Sequence, residues 1–124
     1  MSSAQMQAGR TMNYPVTGKV EPYIAITWTG EIANAGVGGE GQYIIGFTSR
    51  SGEDEVINLI RGETSLAIAG VPLDGTEQRL KTDANGHLIP WAAPGDKVAA
   101  LLKKGVTADA AGHRIEVLPV TGAA

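Results

Sequence analysis

Two extended runs meet at Asp83-Ala84-Asn85-Gly86 within LKTDANGHLIPWAAPGDKVAALL, the stretch from Leu80 to Leu102. Asn-Gly between such runs signals a hairpin, because both residues tolerate the positive φ that a tight turn needs. Pro94-Gly95 makes a second break, and an apolar run follows it. Trp91 lies between the two breaks, where a small domain would place its largest apolar anchor. Any fold of this chain has to accommodate this antiparallel pair and the strand after it.

The rest of the chain repeats the pattern of short runs and turns. Tyr23 to Thr29 alternates, with Ile24, Ile26 and Trp28 on one side, and β-branched and aromatic alternation is a strand signature. Gly36-Val37-Gly38-Gly39-Glu40-Gly41 interrupts it, and a second strand over Gln42 to Thr48 places Tyr43, Ile45 and Phe47 on one face. Further extended runs cover Glu55 to Arg61, Thr64 to Ala69 (Leu66 and Ile68 sharing a face with Thr64) and Gln78 to Thr82. The last strand is Arg114 to Val120, where Pro119 suggests a free edge or a strand end. Asp96 to Lys104 suits a short helix capped by the Asp, or a buried strand; its position among strands favours the strand.

Seventeen Gly and six Pro against one Phe agree with many turns and short strands. The fold expected is therefore mainly β, a small barrel or sandwich, in one domain over residues 18–124. Met1 to Thr17 is rich in Ser, Gln, Ala and Gly and is read as a flexible N-terminal arm. It is either a frayed terminus or a segment that orders on a partner, with Met6, Met12 and Tyr14 as what it could bury.

The residues that could carry chemistry fall in turns. GVGGEG lacks a following Gly-Lys-Ser/Thr and precedes a strand, so it reads as a hairpin tip and not a phosphate cradle. His87 and His113 each stand beside a glycine turn without metal-ligand spacing, and there is no Cys. Asp83, Asn85 and His87 lack the later Glu of a calcium loop. Glu53-Asp54-Glu55 reads as a solvated turn, and Lys103-Lys104 is too short for a nucleic-acid patch. With a formal net charge of −3 and no apolar run near the roughly 18 residues of a membrane span, neither nucleic acid nor membrane is an expected partner. The expectation is a soluble non-enzyme without metal or cofactor.

LKTDANGHLIPWAAPGDKVAALLKKGVTADAAGHRIEVLPV, with INLIRGETSLAIAG upstream, resembles the head decoration, or capsid cement, proteins of tailed bacteriophages. The shared features are a strand ending in Asp, a small turn, a strand of the Leu-Val-Pro/Ala type, a Gly-Asp step, an apolar strand and a last strand like IEVLPV. They cover Val56 to Val120, about half the chain. The resemblance implies a homo-oligomeric virion protein, trimer before dimer, made in the host cytoplasm. It would bind the outer face of the expanded head and hold major capsid protein subunits together. It also implies an N-terminal arm that adds a strand to the shell, which makes Met12, Tyr14 and Pro15 the candidate capsid-binding residues. The rival reading is a ligand- or carbohydrate-binding β-module of a virion, followed by a small β-barrel enzyme.

Overall fold

A computed structural model describes residues 11–33, 44–62, 64–92 and 98–120. Among them every regular element is a strand. In chain order these are β1 (Thr11–Pro15), β2 (Lys19–Val20), β3 (Ala25–Thr27), β4 (Ile44–Thr48), β5 (Gly52–Glu53) and β6 (Val56–Ile60). β7 (Ser65–Ile68), β8 (Arg79–Thr82), β9 (Leu88–Pro90), β10 (Ala100–Leu102) and β11 (Arg114–Pro119) complete the set.

The strands form a four-stranded sheet in the order β1-β6-β4-β3, a five-stranded sheet in the order β7-β11-β10-β8-β9, and the small pair β2-β5. All pairings between named strands are antiparallel. The five-stranded sheet curls until its two edges touch at a parallel bridge between Ala69 and Leu88, where the Gly70 amide donates to the Leu88 carbonyl at 2.7 Å. The chain is thus mainly β with a barrel-like half, as expected.

Alternation decides what each strand buries. In the curled sheet Leu80, Thr82, Leu88, Ala100, Leu102, Ile115 and Val117 point inward. β7 turns Ser65 and Ala67 inward, so the face shared by Leu66 and Ile68 is the outer one. Small residues suit the inside of a tightly curved sheet, where large ones would collide. Phe47, fully buried, comes from the other sheet and is the largest side chain in this core. Trp91 is not the anchor: it is half-buried outside both core clusters, with the Arg79 guanidinium 5.0 Å from its ring centre.

The expectation of one face for Ile45 and Phe47 fails at a β-bulge. The register with β3 steps from Ile26↔Gly46 to Thr27↔Ile44, leaving Ile45 as the extra residue. Phe47 and Ile44 then enter the larger core, while Ile45 joins a second one with Val16, Val20, Ile26, Ile57 and Leu59. Gly46 is required there, since a Cβ would lie 2.9 Å from both the Leu59 Cβ and the Ile60 carbonyl oxygen of β6.

The Asn85-Gly86 hairpin is present as β8–β9, with Thr82 opposite Leu88. Only Gly86 takes a positive φ, 75°. A Cβ on it would also meet Ile24 Cγ2 at 2.6 Å, because this tip packs against the other sheet and its carbonyl accepts from the Ala25 amide. Asp83 Oδ1 accepts from the Asn85 and His87 amides, the turn chemistry read from the sequence. Asp96 to Lys104 resolves to a strand at Ala100–Leu102, and its first two residues lie outside the described ones. Pro119 is both a strand end and locally an edge: it pairs with Ala100 of β10 on one side, while β7 on the other reaches only from Arg114 to Val117.

The arm boundary at Thr17 does not match the structure. Thr11–Pro15 is a strand of the chain's own sheet, paired along its length with β6. Residues 1–10, Met6 among them, and the glycine run Gly36 to Gly41 lie outside the described residues.

Candidate interaction surface

β1 is the end strand of its sheet, so among the described residues one backbone edge has no strand beside it. Alternation sends Met12 and Tyr14 to the face of their partners Leu59 and Ile57, where both pack on the smaller core. The Tyr14 hydroxyl donates to the Trp28 carbonyl. Of the three candidate residues only Pro15 is exposed, beside exposed Val56. Asn13 and Asn58 bond across the opposite face, Nδ2 to Oδ1 at 3.1 Å. Met12 and Tyr14 therefore serve this fold first, which free-arm reasoning did not anticipate. Trp28 is 60% exposed at the turn that Tyr14 holds.

The polar clusters behave as turns. Asp54, at φ 48°, accepts from the Gly18 amide at 2.7 Å and so ties β5 to the chain after β1. Glu55 pairs with Arg50 at 2.9 Å, and that hydrogen bond holds its carboxyl below the usual range, aided by the Glu53 amide. The Asp74 carboxyl is likewise lowered, by the hydroxyl and amide of Thr76. Among the described residues no group of three or more His, Asp or Glu could hold a metal. His113 is exposed, whereas His87 is half-buried in a groove where the two sheets meet.

That groove has two adjoining parts, of about 520 Å³ and about 300 Å³, which share Glu21, Ile24 and His87. Ile24, Ile32 and Ile68 supply apolar surface; Lys19, Glu31 and Arg114 stand around it. Its wall is an unusual turn. Pro22 is followed by Tyr23 at φ 66°, a region that bulky side chains avoid at a cost of about 1–3 kcal/mol. The buried Thr48 hydroxyl fixes this turn, accepting from the Ile24 amide at 2.9 Å and donating to the Glu21 carbonyl at 2.6 Å. The Tyr23 amide donates to the Thr48 carbonyl at 2.8 Å, and Arg114 sits 5.8 Å over the Tyr23 ring. Strand reading placed Tyr23 in an alternating run. Pro22 was the available signal, since Pro favours the position before a left-handed turn residue.

No family model matches this chain, and neither does any curated protein. Among the solved structures that do match is the N base of the head fiber gp8.5 of bacteriophage phi29. Sequence identity is 16% and the TM-score 0.61, over 89% of this chain and 92% of that one. At that identity the likeness shows a shared fold, and the fold it shares is that of a protein on a phage head.

Proposed function

We propose that this chain is a structural protein of a phage virion, a decoration (cement) protein that binds the outer surface of the expanded head and braces neighbouring major capsid subunits. The observation that carries the reading is the likeness to the head-fiber base, which spans nearly all of both chains. The sequence resemblance to decoration proteins over Val56 to Val120 points the same way by an independent route. Physically, the role asks for a rigid β scaffold and repeated contacts; weak single contacts multiply when one oligomer bridges several subunits. We assign the protein to a homo-oligomer, a trimer in preference to a dimer, with the major capsid protein as partner.

Pro15, Val56 and Trp28 are exposed apolar residues at and around the end of β1, and they replace Met12 and Tyr14 as the apolar groups of this region open to a partner. Gradient co-sedimentation with expanded heads lacking the protein tests the reading. Saturable binding in a fixed ratio to the major capsid protein is expected. A well-folded protein that stays at the top of the gradient contradicts it.

A further inference from the structure

We propose that the groove between the two sheets, walled by the Pro22-Tyr23 turn, is a docking site for an extended polypeptide segment of the shell protein. This rests on the decoration reading above and names the contact through which it works. Three observations carry it. The first is conformational: an aromatic residue is held at φ 66° by a buried threonine hydroxyl bridging both ends of its turn. Such an outlier persists only where its surroundings over-determine it, and it marks sites where a side chain must be aimed.

The second observation is shape. The two parts of the groove adjoin, at about 520 Å³ and about 300 Å³, with Ile32 lining the larger part, Ile68 the smaller and the buried Ile24 both. A succession of apolar positions along an open cleft suits alternate side chains of an extended chain, which repeat on one face every second residue.

The third is charge. Arg114 stacks on Tyr23 at one end and makes no ion pair among the described residues. Lys19 and Glu21 likewise have no ion-pair partner among them, and the Glu31 carboxylate accepts there only from the Thr29 hydroxyl. Arg114 calls for a carboxylate, and Glu21 and Glu31 for a cationic side chain farther along. The segment inferred is therefore an extended one with small apolar side chains in alternation, an acidic residue at the Arg114 end and a basic one toward Glu31.

The test uses the full chain and expanded heads lacking it, together with overlapping synthetic peptides that span the major capsid protein. Arg114→Glu and Glu21→Lys reverse exposed charges, and Lys104→Glu does so on an exposed turn outside the groove. Thermal melts establish that each variant is folded. The expected result is that wild type binds heads and at least one extended peptide. Arg114→Glu and Glu21→Lys then weaken both by about tenfold or more, and Lys104→Glu stays within about twofold.

Wild-type binding to heads that is unchanged in both groove variants overturns the groove while leaving the decoration reading intact. No wild-type binding to heads overturns the decoration reading and with it this occupant. Binding to a glycan array that Arg114→Glu abolishes, with head binding retained, overturns the peptide in favour of a sugar.

Discussion

The two cores of this protein are built differently, although the same pair of strands feeds both. β3 and β4 send Ala25, Ile44 and Phe47 to the larger core and Ile26 and Ile45 to the smaller. The larger is enclosed by a five-stranded sheet whose edges meet, and among the described residues seven of its fifteen buried members are alanines. The smaller has, among the described residues, six buried members, all Val, Ile or Leu, and Met12 and Tyr14 of an end strand pack against it. Curvature closes the first, so small side chains serve it. The second is covered by one strand at the N-terminal side, so it depends on large side chains and on that strand staying paired.

Four substitutions sharpen or break this contrast. Phe47→Ala removes the largest buried side chain of the barrel side and should cost about 3–5 kcal/mol in denaturant unfolding. A cost near that of an exposed substitution would show that the sheets are not locked together there. Gly86→Ala comes next, at about 2–4 kcal/mol. It combines a positive φ with a Cβ 2.6 Å from Ile24, so it attacks the junction between the halves. A neutral result in the same unfolding experiment would mean the hairpin tip does not carry that junction.

Tyr14→Phe deletes the hydroxyl that holds Trp28 and should cost about 1 kcal/mol. Hydrogen exchange checks where the loss falls: amides of β1 and β6 should exchange faster while those of β8, β10 and β11 are unchanged. Uniform acceleration would merge the two cores into one cooperative unit.

The smallest effect belongs to Glu55→Gln. The Glu55 carboxyl is held low by Arg50, so its contribution exists above the ordinary glutamate range and fades as pH falls through its lowered value. Being an exposed pair, it should shift the melting temperature slightly near neutrality and not at all in acid. A difference that grows toward acid pH would reverse that sign.

Much of the architecture was legible because alternation and turn chemistry are local. The strands around Ile57, Leu66, Leu80, Leu88 and Ile115, and the Asn85-Gly86 turn, were all readable from residues within a few positions of each other. What failed was non-local. Nothing near Ile45 announces a bulge, since it depends on the partner register across β3. Trp91 looks like a core anchor on size alone, yet curvature gives the interior to alanines and leaves the ring to Arg79. Thr11–Pro15 looked like a loose arm because five residues with two half-buried side chains carry little signal until β6 lies alongside.

The groove was less legible still. Its members come from the stretches around Lys19, Ile32, His87 and Arg114, which only the meeting of the sheets brings together. Pro22 hinted at a turn, but the left-handed Tyr23 is imposed by Thr48 from another strand.

Cryo-electron microscopy of expanded heads with and without the added protein tests the central claim most directly. A decoration protein gives ordered extra density on the outer surface, at fixed symmetry-related positions, that bridges neighbouring capsid subunits and fits this two-sheet fold. Maps of the two samples that superimpose without added outer density, at saturating protein, would contradict it.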